Sequence, residues 1–324
     1  MKNIRLSLIV ISYNMSRELP RTIKSLSPAI QRGIDKDDYE IIVVDNGSKR
    51  PLNIDSCEAN LCIEYMPSPH SVSPAAAVNR GLEMAKGEIV GVLVDGARMA
   101  SPGLLAKALK ASKLHHRPVI AAMGFHLGPE NQSLSAEKGY NQEVEDKLLQ
   151  GIRWEEDAYR LFDVSVFAGS SSKGWFMPMS ESNALFLPRS LWKEIAGFDE
   201  QFVCRGGGLV NLDTYKRCCD LDDNELIVLL GEGTFHQFHG GASANAKASQ
   251  WSEFHQEYVR IRGEDFSRPQ KVPLYVGNIP AKTFSFMSDS ISKAQGRPAN
   301  FVDILLERFN LFRKKLVPLY RYTS

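Results

Sequence analysis

Residues 6–12 read "LSLIVIS" and residues 39–45 read "YEIIVVD". Each is a run of apolar, mostly β-branched residues closed by a polar turn. Runs of this kind suit strands buried on both faces of a sheet. Between them, residues 18–27 carry helical spacing. Reading outward, "LCIEYM" (61–66) is a third short strand. "SPAAAVNRGLEMAKG" (73–87) opens on a Ser73-Pro74 helix start and stops at Gly87. "EIVGVLVD" (88–95) is another buried strand, "SPGLLAKALKASKLHH" (101–116) repeats the Ser-Pro helix start, and "PVIAAMGF" (118–125) is a fifth strand. Strand and helix in alternation predict an α/β fold, a mostly parallel central sheet with helices on both faces.

Residues 126–180 are less regular and more polar, and are expected to cover one face of the sheet. "NALFLP" (183–188) reads as a strand and "RSLWKEIAGFDE" (189–200) as a short helix stopped by Gly197. "NLDTYKRCC" (211–219) is a further helix, and "NELIVLLGEG" (224–233) ends the sheet. Residues 251–262 have helical spacing. The expected division is a main domain over 1–263, in two halves (1–125 and 126–263), and an extension over 264–324. That extension carries an amphipathic stripe over 301–316: Phe301, Ile304, Leu305, Phe309, Phe312 and Leu316, with Arg308, Arg313, Lys314 and Lys315 beside it. The stripe would pack on its own domain or a second subunit, or rest on an anionic membrane as a peripheral contact.

Composition narrows the function classes. The 324 residues carry 39 basic and 38 acidic side chains, so no global field draws the protein to nucleic acid. Five cysteines without CxxC spacing argue against a disulfide framework or zinc knuckle and fit a reducing, cytoplasmic setting. The apolar run at the start is too short for a signal peptide and lacks its cleavage site. No stretch approaches the ~18 apolar residues of a membrane span.

In an open parallel sheet, ligands bind beyond the carboxyl ends of the strands. Those ends read "SYN" (12–14), "DNGS" (45–48), "DGAR" (95–98) and, late in the chain, "HQFHGG" (236–241). There is no GxGxxG after the first strand, no GxxxxGK[ST] and no GxSxG, so common dinucleotide, P-loop and hydrolase chemistries lose their main support.

"LIVISYNMSRELPRTIKSL", "IIVVDNGS", "AAAVNRGLEMAKGEIVGVLVDGARMASPGLL" and "ALFLPRSLWKEIAGFDEQF" follow one another in order. In order and spacing they resemble family-two glycosyltransferases of the GT-A fold over residues 6–241. The resemblance implies a nucleotide-diphosphate sugar donor, with a UDP-sugar expected. It implies that Asp45 hydrogen-bonds the base and that Ser12, Tyr13 and Asn14 lie near the nucleotide. Asn79 and Arg80 would contact the nucleotide or diphosphate. Asp95 would stand as first acid of the DxD motif, near ribose and metal, and His236 or His239 at a position where some members hold a metal. A divalent cation (Mn2+ or Mg2+) would stabilise the departing diphosphate as a Lewis acid.

Two departures from that pattern stand out. Ala97 occupies the second acid of the DxD motif, leaving Asp95 with one histidine, or with Arg98 to offset phosphate charge. At a strand end His236 and His239 would point apart, so one ligand is expected and His239, next to the glycines, is chosen. Gly208 and Leu209 stand where an acidic pair is expected. Asp213, a displaced base or a helix cap, and Glu181, before a strand, are the candidate catalytic carboxylates. The expected activity is inverting transfer of a sugar to an acceptor hydroxyl on a glycan or lipid-linked molecule. The alternatives are a GT-A-fold protein that binds nucleotide sugar without turnover, and, ranked last, a nucleotidyltransferase.

Overall fold

The computed structural model describes residues 4–50, 60–67, 71–239 and 248–296. Its strands are β1 (Leu6–Ser12), β2 (Tyr39–Asp45), β3 (Asn60–Tyr65), β4 (Ile89–Leu93), β5 (Arg98–Ala100), β6 (Pro118–Leu127), β7 (Ser165–Phe167), β8 (Leu185–Pro188), β9 (Glu225–His236) and β10 (Leu274–Gly277). They form one sheet in the order β10-β9-β6-β8-β4-β1-β2-β3, with β5 added to β9 and β7 to β6. Along that path only β8 runs against its neighbours; the β1, β2, β3, β4 and the β6, β9, β10 pairings are parallel.

The two-sided burial expected of the first strands is met residue by residue. Every residue of β1, β2 and β4 is buried. Side chains of a strand alternate between faces, and here the alternation feeds two cores. Ile9, Ile11, Ile42 and Val44 enter one; Leu8, Val10, Ile41 and Val43 enter the other. The helix Ala75–Met84 lies close on the first face, where a side chain at Gly81 would overlap Ile9.

β9 is the bent member. It pairs with β6 from Pro118↔Glu225 to Ala121↔Val228 and resumes at Met123↔Gly233. Over that gap β6 advances by two residues and β9 by five. The three extra residues make a bulge, a device that turns a strand, and Gly231 in it has φ +70°. Beyond the bulge β9 leaves β10 and pairs with β5, placing Arg98 opposite His236. The bulge is pinned by Glu232, fully buried. Its carboxylate accepts from the Gly103 amide (3.0 Å), the Tyr159 hydroxyl (2.7 Å), the Lys107 ammonium (2.5 Å) and the Ser101 hydroxyl.

The described residues after 263 pack on the sheet. β10 extends the sheet by pairing with β9, and the helix Phe284–Ala294 sets Phe286 against Phe125, Phe162 and Phe167 at centroid distances of 5.0, 5.7 and 5.0 Å. The stripe over 301–316 lies outside the described residues. Among those described, no helix is long and apolar enough to cross a membrane.

Candidate active site

The carboxyl ends of β1, β2, β4 and β6 and the end of β9 beyond its bulge share one edge of the sheet. At β1 and β2 the backbone turns are tied together. Asn14, with φ +54°, donates its amide to Ser48 Oγ (2.7 Å), and its side-chain oxygen accepts from the Lys49 amide (3.0 Å). Asp45 Oδ1 accepts from the Ser48 amide at 2.7 Å, while Oδ2 is buried without a partner. Ser12 Oγ and Asn46 Oδ1 are in the same state. Buried polar atoms are rarely left unpaired, so this group of acceptors is suited to a ligand that brings N–H donors. Tyr13 stands exposed beside it.

At β4 the chain leaves the sheet through Val94 and Asp95. Asp95 Oδ1 accepts from the amide of Ala97 at 2.9 Å. Asp95 Oδ2 faces His236 Nε2 at 2.9 Å and His239 Nε2 at 3.3 Å, and the two imidazole nitrogens are 3.1 Å apart. Both histidines therefore meet the aspartate, where strand alternation leads to the expectation of one. The alternation rule ends with β9 at His236. Gln237 then donates its amide to the Ala97 carbonyl (2.8 Å), and the turn brings His239 back to the same side.

That turn is held from outside. Glu145, fully buried on the helix Gln142–Ile152, accepts from the Phe238 amide (2.7 Å), the Tyr140 hydroxyl and Arg17. Burial pushes its carboxyl up to about 7, against the pull of Phe238 and Arg17. Gln237 donates to the Glu18 carbonyl and Thr22 Oγ1. His236 is gripped by Gln132, whose Oε1 lies 2.5 Å from Nδ1 and whose Nε2 donates to the His236 carbonyl at 2.8 Å.

Charge follows burial and contact. Burial works to raise the Asp95 carboxyl, but the two histidines override it and hold the group well below the usual range. Burial pushes His236 down to about 4, with Asp95 opposing. Burial also opposes charge on His239, but there Asp95 prevails and the imidazole sits above its ordinary value. Arg98 is 9% exposed; its Nε and Nη1 have no partner, and burial lowers its pKa against the fields of Asp95 and Glu181. It is a buried guanidinium at the site, not a surface arginine.

A search of curated proteins finds no sequence match. The model of the family "Glycosyl transferase family 2" matches residues 7–168, half of the chain. The chain belongs to glycosyl transferase family 2. Solved structures similar to this chain include TarS of S. aureus, at 15% identity and TM-score 0.49 over 90% of this chain and 43% of that one. TarS 1–349 in complex with UDP-GlcNAc matches at 15% identity and TM-score 0.48, over 90% and 73% of the two chains. The mannosyltransferase PcManGT from Pyrobaculum calidifontis, in complex with GDP-Man and Mn2+, matches at 14% and 0.46, over 99% and 82%. The chain thus spans less than half the length of the first of these. With the mixed sheet already described, the family gives the GT-A fold.

Three ligand atoms of Asp95, His236 and His239 lie within 4.8 Å of one another, a donor set that fits a divalent cation. Ala97 is fully buried and its side chain belongs to the apolar core shared with Met15 and Leu19, so the position gives the site a backbone N–H and no ligand. Glu181 Oε2 accepts from Asn211 Nδ2 at 2.6 Å, at the start of the helix Val210–Cys219.

The structure takes other residues elsewhere. Asp213 is 1% exposed, and its carboxylate is committed to Arg217 (2.8 Å) and Arg262 (2.6 and 2.7 Å), tying its helix to Ala248–Arg262. Asn79 binds the Phe198 backbone and Glu200; Arg80 binds Glu64 and Glu83. Gln132 and Glu145 had no signal in the sequence, since each acts on a partner about a hundred residues away.

Proposed function

We propose that the enzyme moves a sugar from a nucleotide-diphosphate donor to an acceptor hydroxyl with inversion, assisted by a divalent metal. The convergence of Asp95, His236 and His239 carries this reading. These three side chains would hold the cation, which when bound supplies Lewis-acid neutralisation of the departing diphosphate. Two imidazoles move the preference from Mg2+ towards Mn2+ or a later metal. Arg98, a buried guanidinium with free donors, adds a second positive charge for the phosphates. Asp45 takes an N–H of the base at its free oxygen, and Ser12, Tyr13 and Asn14 line the nucleotide. Glu181 takes the proton of the acceptor hydroxyl as it attacks in line. Asp213 is assigned a structural role, because its carboxylate is already paired with two arginines. A UDP-sugar donor and a glycan or lipid-linked acceptor complete the proposal.

Calorimetry of UDP-, GDP- and dTDP-sugars with Mn2+ or Mg2+ tests it, alongside the Asp95→Ala variant. One nucleotide sugar should bind in a manganese-dependent way, and Asp95→Ala should lose that dependence and transfer. Full turnover by Asp95→Ala would sink the mechanism. Donor binding without turnover under any metal would favour the non-catalytic alternative.

A further inference from the structure

We propose that Gln132 is a positioning residue that fixes the tautomer of His236 and thereby makes its Nε2 a metal ligand. The inference rests on the metal reading of the site and adds to it a residue outside the site's strand ends.

The orientation follows from hydrogen-bond bookkeeping. The Gln132 amide touches His236 at two points, the backbone carbonyl (2.8 Å) and Nδ1 (2.5 Å). A carbonyl oxygen only accepts, so the amide nitrogen must face it. The amide oxygen therefore faces Nδ1, and Nδ1 must carry the hydrogen. In a neutral imidazole this leaves Nε2 as a bare lone pair. That lone pair points at Asp95 Oδ2 and His239 Nε2, 2.9 and 3.1 Å away. Three basic atoms so close without a proton or cation between them would repel. The Gln132 contact thus commits the His236 end of the cluster to acceptance.

Gln132 is itself immobilised. It is fully buried, it opens the helix Gln132–Glu137, its backbone N–H donates to His126 Nδ1 (3.2 Å), and the preceding Asn131 caps the helix through the Ser133 backbone N–H. A residue placed this way serves as the outer partner that metal-bound histidines need, and loss of such partners costs about 10–100-fold in metal affinity. The polar stretch after β6 thereby supplies the wall that orients the late histidine.

The test uses the full chain stripped of metal, without donor. Gln132→Met keeps the length of the side chain and removes both contacts; Gln132→Glu keeps the acceptor for Nδ1–H. Calorimetric titration with Mn2+ should show affinity reduced about tenfold or more in Gln132→Met and held within a few-fold in Gln132→Glu. Nitrogen-15 NMR of labelled histidines, assigned with His236→Gln, should report the Nδ1–H tautomer for His236 in the parent and in Gln132→Glu, and a mixture in Gln132→Met. Parent affinity in a folded Gln132→Met, or an Nε2–H tautomer in the parent, would overturn the proposal. If the parent binds no Mn2+, the metal reading fails, and with it the ligand role of His236 Nε2. The tautomer measurement would then report separately on the Gln132 contact. Should Gln132→Met not fold, the parent spectrum and Gln132→Glu decide.

Discussion

Position 97 shows why a motif letter and a site residue are different things. By spacing alone, "DGAR" lacks a second carboxylate. In the fold, the Ala97 side chain is in the apolar core and its amide supports Asp95. Ala97→Asp should therefore add no ligand. It should cost about 3 kcal/mol or more in urea unfolding, the penalty of an uncompensated buried charge, with Mn2+ affinity not improved. His126 gives a pH signature. Burial, with the charge on Arg98 and on His236 once protonated, holds its imidazole down at about 3 against an ordinary 6.5. A depressed group stabilises the fold fully above 6.5, and that contribution is lost as pH falls from there towards 3. In EDTA, the stability advantage of the parent over His126→Gln should shrink across that window; a flat difference would refute the assignment. His236 faces His126 and titrates at about 4, so the decisive part of the comparison is the shrinkage between pH 6.5 and about 4. Asp45 and Asp95 stand out in the sequence because they end apolar runs, and His239 because glycines follow it. The ion pair of Asp213 does not stand out, because an acid in the first turn of a helix looks alike whether it faces solvent or an arginine 49 residues further along.

Among the elements, β9 does the most to build the site. Its apolar run was legible, and so were β1 and β2, whose observed limits coincide with the runs quoted for them. Its bulge was not, since three extra residues relative to β6 exist only in the pairing of two strands. Nor were β5, β7 and β10, which are three or four residues long and carry no period to read. The bulge makes an asymmetric prediction about Glu232 and Lys107. Removing the carboxylate in Glu232→Ala leaves the largely buried Lys107 ammonium unpaired, and should cost about 3–5 kcal/mol. Lys107→Met leaves Glu232 still bonded to Ser101, Gly103 and Tyr159, and should cost clearly less. Urea unfolding of both variants checks the order. Glu232→Ala should also weaken Mn2+ binding, because the bulge aims the strand that ends in His236; equal costs with unchanged metal affinity would remove the bulge from the account.

At the scale of the molecule, the question is where the folded unit ends. A change from helical spacing to irregular sequence after residue 262 suggests an appendage, since short exposed β10 and the small, polar helix after it give little hydrophobic signal. The contacts tie that segment to the sheet. The Trp175 amide donates to Ser290 Oγ at 3.1 Å, Met287 is 5% exposed, and Phe286 closes a cluster of Phe125, Phe162 and Phe167. β10 also covers the edge of β9 that would otherwise present unpaired backbone groups. Uncovering one large aromatic contact costs about 3–5 kcal/mol, and a whole domain is stable by only about 5–15 kcal/mol. A chain ending at Gly263 loses several such contacts at once and exposes a strand edge. It should therefore lack a cooperative thermal transition, bind a hydrophobic dye and associate through β9, even though every candidate site residue is still present. A chain ending at 263 that unfolded cooperatively at the parent's midpoint, as a monomer, would show the segment after it to be an appendage.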